Sequence, residues 1–409
     1  MDSSRRDAGS QAVSGSIKTR RVLSLSTLFP NAAQPRFGIF VAKSLEALQR
    51  DTHWEAVVVN PIGVPPIAFG RYKPIAQAAQ DGRDFGLAVH RPTFRLIPRV
   101  GGRLNPGVIA RSVIPLARRL HAEQPFDLVD AQFFYPDGPA AMQVAKALGL
   151  PFSVKARGAD VHYWGARNYG RAALLETAQQ AGGVLAVCEA LADDMATLGM
   201  ERSKVTVHYT GLDHDLFRPL DHVGLRGRVA SSFDIPIARS DTLLLTVGAL
   251  IERKGQALVI KAMGGVPNAR LLLVGRGDDR ASLAKLAREC GVADRVHFLG
   301  SLDPTSLPPL YSAADAMVLP SASEGLANAW IESLACGTPL VITDAGGARE
   351  VMRSADAGVI ATRSVRGIAE GIRQVTGRPR PTADVARTVA AFSWEANGAS
   401  LAAYYDSLV

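Results

Sequence analysis

Two carboxylates frame a turn and a helix in the segment from Pro320 to Pro339. Glu324 lies in a small-residue loop, and Glu332 falls inside a helix predicted from Ala327 to Ala335, which ends at Gly337. A loop entering a helix N-terminus offers free backbone N–H groups and a partial positive charge, while carboxylates accept hydrogen bonds. This combination suits a ligand that is anionic at one place and rich in hydroxyl groups elsewhere, such as a nucleotide sugar.

A second segment, from Val247 to Met263, has the pattern of a strand, a loop and a helix. Gly248 ends the strand, and Arg253 and Lys254 come just before the helix. Cations at a helix N-terminus are unfavourable by roughly 0.3–1 kcal/mol each, because the helix dipole is positive there. An anionic ligand would reverse that effect, so the doublet predicts a diphosphate site that stabilises charge on a leaving group.

The segment from Pro320 to Pro339 resembles the donor-site signature of the retaining glycosyltransferases of family 4. The resemblance is carried by the Glu-Gly pair, the second Glu eight positions later and the Cys-Gly-Thr-Pro tail. It implies the GT-B fold, an α/β fold in which two Rossmann-like domains with doubly wound parallel sheets face a central cleft.

The resemblance assigns roles in the second half of the chain. Glu324 is expected to bind the sugar hydroxyls and Glu332 the ribose hydroxyls. Ala249 stands where the family usually has an arginine, and Arg253 is expected to supply the missing guanidinium. The other donor-binding residues in this half are Gly248, Lys254, Gly325, Leu326, Ala327 and Asn328, and Gly38 joins them from the first half.

Loops in the first half resemble the acceptor side of the same family. Gly38 is expected beside the donor diphosphate, with Arg36 in the same loop. The segment from Val154 to Trp164 resembles one that normally reads His-Gly-x-Asp, with Arg157 in place of the histidine. Because arginine has no acceptor atom, Arg157 is expected to stabilise charge on the acceptor or the leaving phosphate. The alternative is a salt bridge between Arg157 and Asp160.

The remaining site predictions concern two groups of aspartates. Asp137 begins a predicted helix, where its carboxylate is a candidate partner of the helix dipole as well as of the acceptor. The segment Asp213-His214-Asp215 has the Asp-x-Asp spacing of metal-dependent glycosyltransferases, but its place between domains favours a structural role, so neither a metal nor a cofactor is predicted. The catalytic candidates are Glu324, Arg157 and Lys254, and the acceptor-binding candidates are Arg36, Asp160 and Asp137.

Apolar runs alternate with helical stretches along the chain, and runs such as Thr242–Val247 are continuous enough for parallel strands buried on both faces. This pattern predicts doubly wound sheets, and 409 residues predict two domains. Residues 210–240 contain charged residues and residues that break helices and strands, and they show no apolar period, which indicates a domain boundary. We assign a disordered tail to residues 1–20, an acceptor domain to 21–215, a linker to 216–239, a nucleotide-sugar domain to 240–390 and, from the resemblance, a helix at 391–409 that crosses back to the first domain.

The composition, with 47% hydrophobic and 21% charged residues, is typical of a soluble globular protein. No stretch reaches the roughly 18 apolar residues of a membrane helix, and the first 20 residues lack the apolar segment of a secretory signal. Three widely spaced cysteines indicate reduced thiols, so we expect a cytoplasmic protein.

The net charge of +8 is unevenly distributed. From Gly86 to Ala122 there are seven arginines and no acid. The stretch is either a solvated basic surface or a contact for anionic lipid headgroups or a lipid-linked phosphate. Nucleic acid is not expected as a partner, because aromatic residues are sparse and no recognition motif is present. The arginines are Arg91, Arg95, Arg99, Arg103, Arg111, Arg118 and Arg119.

These features predict a metal-independent, retaining hexosyltransferase that moves a sugar from a nucleoside diphosphate sugar, which we expect to be a UDP-sugar, to a hydroxyl of a glycan or lipid-linked acceptor. The wider pattern resembles cytoplasmic enzymes of bacterial exopolysaccharide and teichuronic-acid biosynthesis. This resemblance implies a peripheral membrane protein of cell-envelope synthesis that acts at the inner face of the membrane. The alternatives are a nucleotide-sugar 2-epimerase of similar fold, a non-catalytic nucleotide-sugar-binding protein and a lipid-surface adaptor. An epimerase needs titratable groups around the sugar, which Arg157 does not provide.

Overall fold

A computed structural model describes residues 19–67, 70, 72–96, 101–221 and 223–409. Residues 1–18 of the predicted tail, and Arg99 of the arginine-rich stretch, lie outside these ranges. Among the helices in the described ranges, none has the length and apolar character needed to cross a membrane.

The first domain contains ten strands and seven helices in its described part. The strands are β1 (Arg20–Leu25), β2 (Trp54–Val59), β3 (Ile62–Val64), β4 (Gly82–Asp84), β5 (Leu87–His90), β6 (Thr93–Arg95), β7 (Leu128–Ala131), β8 (Phe152–Ala156), β9 (Gly183–Ala186) and β10 (Val205–Val207). The helices are α1 (Ile39–Asp51), α2 (Tyr72–Gln77), α3 (Asn105–Glu123), α4 (Asp137–Leu148), α5 (Ala159–Gly165), α6 (Asn168–Gln180) and α7 (Glu189–Leu198). Eight strands form a sheet in the order β10-β9-β8-β7-β1-β2-β5-β4, parallel except for the β4–β5 pair, and β3 pairs with β6 separately.

The second domain is built on a six-stranded sheet that is parallel throughout. Its strands are β11 (Thr242–Val247), β12 (Ala269–Val274), β13 (Val296–Gly300), β14 (Ala316–Leu319), β15 (Leu340–Ile342) and β16 (Gly358–Ile360), in the order β13-β12-β11-β14-β15-β16. The remaining helices are α8 (Leu225–Phe233), α9 (Gln256–Ala262), α10 (Arg280–Glu289), α11 (Leu307–Ala313), α12 (Asn328–Ala335), α13 (Ala348–Val351), α14 (Val365–Thr376), α15 (Thr382–Arg387) and α16 (Trp394–Asp406).

The central strands are covered on both faces, as β11 illustrates. Leu243 and Leu245 pack into one apolar cluster and Leu244 into the cluster on the opposite face. Because side chains alternate along a strand, a strand covered on both sides must be apolar throughout, which is what its sequence shows. The predicted α/β architecture with parallel sheets is confirmed.

The segment between the two sheets contains more structure than its sequence indicated. Helix α8 lies inside the region 216–239 that was assigned as linker. Leu225 and Val229, one helical turn apart, are buried with Phe217 in a core cluster of the second domain. The apolar period was missed because it consists of only three large apolar side chains, Leu225, Val229 and the partly buried Phe233, in an otherwise polar helix.

The last helix, α16, packs on α1 of the first domain. A Cβ at Gly398 would lie 2.8 Å from the backbone carbonyl carbon of Ala47, so a glycine allows the two helices to approach this closely. Tyr405 packs edge-on against Trp54, with 5.3 Å between ring centroids, and Leu401 is buried in the same cluster. The chain therefore passes between the domains twice.

Candidate functional site

A cavity of about 820 Å³ lies between the two domains. One wall is formed by the loops that follow β11, β12, β13 and β14, at the carboxyl ends of the parallel strands, where open α/β sheets bind ligands. The other wall comes from the first domain. The predicted residues that line the cavity are Arg36, Arg157, Gly248, Lys254, Glu324, Gly325, Leu326, Ala327, Asn328 and Glu332. Those that do not are Gly38, Asp137, Asp160 and Arg253.

Glu324 and Lys254 form an ion pair at the centre of the second-domain wall. Lys254 Nζ lies 2.5 Å from Glu324 Oε1, and the two side chains are 13% and 7% exposed. An ammonium group has three donors, so Lys254 keeps donors for an anionic ligand while it contacts Glu324. The basic doublet and the Glu-Gly loop, which were predicted from separate motifs, thus meet at the Glu324 carboxylate.

Arg253 has a different position from the one its sequence suggested. Its Nη1 lies 3.3 Å from Glu324 Oε2 and also contacts the carbonyl oxygen of Ser323, and Arg253 is not among the residues that line the cavity. Its carbonyl oxygen accepts a 2.7 Å hydrogen bond from the backbone N–H of Ala322. Arg253 therefore braces the loop, and the expectation that it replaces the missing guanidinium at Ala249 is not supported by this geometry.

The loop from Gly325 to Asn328 presents its backbone to the cavity. The N–H groups of these four residues donate to no acceptor within the described ranges. They lead into the N-terminus of α12, where the helix dipole favours negative charge. The sequence predicted free N–H groups at this helix N-terminus, and the binding of an anion by them stays a prediction.

The glycine pair after β15 supports this loop from behind. A Cβ at Gly346 would lie 2.3 Å from the carbonyl oxygen of Glu324, and Gly347 N–H donates to Gly325 O at 2.8 Å. These glycines therefore fix the backbone that carries Glu324.

Glu332 lies one turn inside α12 and faces the same cavity. Its Oε2 accepts a 2.9 Å hydrogen bond from the Tyr311 hydroxyl, and Oε1 has no partner in the described part of the chain. Burial raises the pKa of the Glu332 carboxyl to about 7. Glu332 can therefore accept a ligand hydroxyl, and its charge changes near neutral pH.

Arg157 stands on the first-domain wall and is held along one edge. Its Nε donates to Gln132 O at 2.7 Å and its Nη2 to Gln132 Oε1 at 2.8 Å. The guanidinium carbon lies 4.6 Å from the ring centroid of Phe40. Burial lowers the pKa of Arg157 to about 10, so the group remains a cation at neutral pH.

The salt bridge between Arg157 and Asp160 that sequence left open does not form. Asp160 is fully buried and accepts hydrogen bonds from the backbone N–H groups of Arg157, Phe134 and Val161, at 2.8 to 3.2 Å. Its carboxylate shapes the turn that presents Arg157. The structure therefore gives Asp160 no direct contact with a ligand in the cavity.

Asp137 and Gly38 also have structural roles, because each contacts other parts of the protein and not the cavity. Asp137 is fully buried and accepts from the N–H of Thr27 at 2.8 Å and from its hydroxyl at 2.7 Å, and burial raises its pKa to about 7. Gly38 has φ of +72°, and a Cβ there would lie 2.3 Å from the carbonyl oxygen of Leu28. Both residues hold the β1–α1 loop, which explains why neither reaches the cavity.

Arg36 crosses the cleft. Its Nη2 lies 2.9 Å from Asp303 Oδ2, and its Nη1 contacts the carbonyl oxygen of Leu302. The pair is exposed, so it contributes little stability by itself. It does place a cation of the first domain beside the loop after β13.

Several lining residues were missed from the sequence, among them the Gly275-Arg276 loop. A Cβ at Gly275 would lie 1.9 Å from Gly248 O, and one at Gly277 would lie 2.1 Å from Leu250 O, so both glycines are needed where the two loops touch. Their position after β12 was the available signal. The other missed residues are Phe40, Val187, Thr210, Val247, Ala249, Val274, Ser301, Leu302, Leu307 and Ala329.

The Asp-x-Asp segment has structural partners. Asp213 Oδ1 accepts from the N–H groups of Asp215 and Leu216, and His214 Nε2 lies 3.0 Å from Phe392 O. Within the described ranges, no three His, Cys, Asp or Glu side chains are grouped as a metal site would require.

Two doubly wound domains that face a cleft with these loops on one wall have the GT-B architecture, and comparisons with known proteins agree. The model of glycosyltransferase family 4 matches residues 46–216, and that of glycosyl transferases group 1 matches residues 229–387. The chain belongs to the family 4-like glycosyltransferases of GT-B fold, as its sequence motifs predicted.

Curated relatives match over part of the chain. It is 32% identical over 187 residues to the lipopolysaccharide core biosynthesis glycosyltransferase LpsE of Rhizobium meliloti, which covers 45% of this chain and 51% of that protein. It is 30% identical over 219 residues to the D-inositol 3-phosphate glycosyltransferase of Mycobacterium tuberculosis, covering 51% and 44%. The matches span about half the length of these relatives.

Solved structures match over nearly the whole length. The sucrose-phosphate synthase of Thermosynechococcus elongatus has a TM-score of 0.77 at 20% identity, covering 95% of this chain and 99% of that one. Anabaena HepE in complex with UDP and glucose has a TM-score of 0.72 at 19% identity, covering 95% and 100%. At such identities the likeness shows the fold.

Proposed function

We propose that this glycosyltransferase moves a hexosyl group from a UDP-sugar to a hydroxyl of a glycan or lipid-linked acceptor, with retention of the anomeric configuration. The observation that carries the proposal is the convergence of Glu324, Lys254 and the free N–H groups of Gly325–Asn328 on one cavity wall. The complex of HepE with UDP and glucose supports this choice of donor, and the likeness to LpsE supports a role in cell-envelope polysaccharide synthesis.

In this reaction the bond between the anomeric carbon and the diphosphate oxygen breaks, and UDP leaves with the electron pair. The acceptor oxygen forms its bond to the anomeric carbon on the same face, and its proton passes to the departing phosphate oxygen. Lys254 and the loop N–H groups stabilise the charge that develops on UDP. Glu324 orients the sugar hydroxyls and Glu332 the ribose hydroxyls.

The donor site supplies cations and helix-end dipoles for the diphosphate, so we propose that transfer requires no metal ion and no cofactor. Arg36 and Arg157 line the cavity from the first-domain wall, which we assign to the acceptor. Closure of the domains excludes water, so that transfer competes with hydrolysis.

The test is an assay of the purified protein with a panel of nucleotide sugars. We expect UDP-sugars to raise the melting temperature by mass action and UDP to be released when an acceptor extract is added, also in the presence of EDTA. Product analysis separates transfer from 2-epimerisation, which leaves the nucleotide attached. Binding without turnover of any donor would contradict the proposal and favour a sensor.

We also propose that α3 contacts an anionic membrane at the cytoplasmic face. Arg111 and Arg118 of α3, and Arg103 just before it, are exposed and, within the described ranges, have no hydrogen-bond or ion-pair partner, and Leu104, next to Arg103, is 59% exposed. Arg91 does not belong to this surface, because it is buried and paired with Asp84. Unpaired cations next to an exposed apolar side chain suit anionic headgroups.

Vesicle sedimentation tests this contact. The wild type should bind phosphatidylglycerol vesicles but not phosphatidylcholine vesicles. The double variant Arg111→Glu/Arg118→Glu should bind phosphatidylglycerol vesicles at least tenfold more weakly. Arg366→Glu, which changes an exposed arginine of α14, is the matched control. Equal binding by both variants would contradict the assignment.

A further inference from the structure

Arg157 is fixed in place by a buried chain of polar groups. Gln132 holds the guanidinium with its backbone and side-chain oxygens, and its own amide nitrogen contacts Asp130 Oδ2. Asp130 Oδ1 in turn accepts from the Ser153 hydroxyl at 2.7 Å. Gln132, Asp130 and Ser153 are all fully buried. The direction of the Arg157 fork is therefore set by the fold of the first domain.

The charge of Arg157 is not neutralised by a contacting carboxylate. Asp160 accepts only backbone N–H groups, Asp137 accepts only from Thr27, and Asp130 reaches Arg157 only through Gln132. Nη1 of Arg157 has no acceptor in the part of the chain that the structure describes. A largely desolvated cation with a free donor edge at a cavity wall calls for an anion in the cavity.

The donor diphosphate has its own partners on the opposite wall, in Lys254 and the Gly325–Asn328 loop. Arg157 belongs to the first domain, yet its carbonyl oxygen lies only 2.6 Å from the position of a Cβ at Gly325. The Arg157 side chain lines the same cavity as Lys254 and the Gly325–Asn328 loop, so a ligand that shares the cavity with the donor can contact it.

We propose that Arg157 binds a phosphate group of the acceptor, so that the acceptor is a phosphorylated one, either a sugar phosphate or a lipid phosphate. This assignment rests on the proposed function, because it takes the second-domain wall to hold the donor. Arg157 then selects the acceptor by a bidentate, charge-assisted contact that its attachment to Gln132 orients.

The test measures phosphate recognition with UDP already bound. Wild type, Arg157→Gln, Arg157→Lys and the control Arg171→Gln, an exposed arginine of the same domain outside the cavity, are saturated with UDP. Each is then titrated calorimetrically with inorganic phosphate, glucose 6-phosphate, glucose, and farnesyl phosphate or farnesol in neutral micelles. The sugar and lipid arms distinguish the two sources of the phosphate.

We expect the wild type and Arg171→Gln to bind one phosphorylated ligand at least tenfold more tightly than its neutral counterpart. Arg157→Gln should lose that preference, and Arg157→Lys should recover only part of it, while UDP affinity stays within twofold in both. Unchanged phosphate preference in Arg157→Gln, or loss of UDP affinity as large as in Lys254→Ala, would overturn the assignment. Failure of the wild type to bind UDP would instead refute the proposed function, and the assignment with it.

Discussion

At the residue scale, the centre of the site is the pair formed by Lys254 and Glu324. The two residues are 70 positions apart in sequence and 2.5 Å apart at their charged atoms. Each was predicted from its own motif, because a basic doublet and a Glu-Gly loop have separate signatures. Their contact could not be predicted, since it depends on how the loops after β11 and β14 meet.

Replacing Glu324 by glutamine removes the negative charge while keeping the shape of the side chain. We expect turnover of the UDP-sugar to fall by about 100- to 1,000-fold, since an oriented group near the reacting centre is lost. Lys254→Ala should instead raise the KM for the donor by about tenfold or more, because a cation at the diphosphate is lost. Steady-state kinetics with melting curves check both.

The control is Glu370→Gln, which alters an exposed carboxylate paired with Arg366 on α14. It should leave kinetics unchanged. Full activity in both Glu324→Gln and Lys254→Ala would show that the site lies elsewhere.

Glu332 should make donor binding depend on pH. Its pKa is raised to about 7, and the carboxylate is the stronger acceptor for ribose hydroxyls. The affinity for the donor should therefore be full well above pH 7 and should decline as the pH falls below 7. If only the ionised form of Glu332 binds, the affinity falls by about tenfold between pH 8 and pH 6. Calorimetry with a UDP-sugar, whose bridging diphosphate stays ionised over this range, measures the effect.

Glu332→Gln should remove this pH dependence. The same raised pKa means that the native state holds its proton more tightly, so wild-type stability should fall as the pH rises from about 4.5 to about 7. The glutamine variant should lack that part of the slope. A pH profile identical to the wild type would contradict the assignment.

Asp137 and Asp160 show where residue-scale prediction from sequence fails. A carboxylate in a glycine-containing loop after a strand has the same sequence signature whether it faces a ligand or a backbone N–H group. Both aspartates prove to be fully buried and bonded to the protein. Burial depends on tertiary packing, which the local pattern does not contain.

At the element scale, the site depends on loops that touch through glycines. A Cβ at Gly325 would lie 2.6 Å from Arg157 O and 3.0 Å from a methyl group of Val187. A Cβ at Gly158 would in turn lie 3.2 Å from the nitrogen of Gly325. These contacts bring the first-domain wall against the donor loop without any intervening side chain.

Gly325→Ala should separate these loops. We expect the added methyl group to displace the Arg157 carbonyl and to lower kcat by about tenfold to a hundredfold, because small misplacements of reacting groups are costly. Gly227→Ala is the matched control: it lies inside α8 with open space around a Cβ, and should stabilise the protein by up to about 1 kcal/mol. Equal kinetics in the two variants would contradict a role for the close approach.

Elements buried on both faces were the most predictable part of the fold. Strand β11 has the predicted bounds, because a continuous apolar run of this length is typical of a parallel strand covered on both faces. The three-residue strands β3, β4 and β6 were missed, since β3 and β6 each bury a single side chain, Ile62 and Phe94, and β4 buries none, so none of them shows an apolar run.

At the scale of the whole molecule, Glu350 links the two domains. It belongs to α13 of the second domain and accepts hydrogen bonds at the start of α7 in the first, from Glu189 N–H at 3.0 Å and Ala190 N–H at 3.3 Å. It also accepts from the Tyr209 hydroxyl at 2.7 Å. One carboxylate thus caps a helix across the cleft, a contact that joins residues some 160 positions apart and leaves no local sequence signal.

Glu350→Ala should loosen the cleft. We expect hydrogen exchange at the Glu189 and Ala190 amides to accelerate by about tenfold, since their acceptor is lost. Small-angle scattering should show a larger radius of gyration. Tyr209→Phe removes one of the three contacts and should have a smaller effect. Unaltered exchange in Glu350→Ala would show that other contacts hold the domains together.

The return of α16 to the first domain also bears on how the protein is made. Leu401 and Tyr405 share a core cluster with Val22 and Trp54, although nearly four hundred codons separate the two ends of that cluster. During translation the early strands must therefore leave the ribosome with an uncovered apolar face, and they stay incomplete until the entire second domain has emerged. Nascent chains stalled before α16 should consequently be chaperone clients, even when every residue of the donor site has already been synthesised.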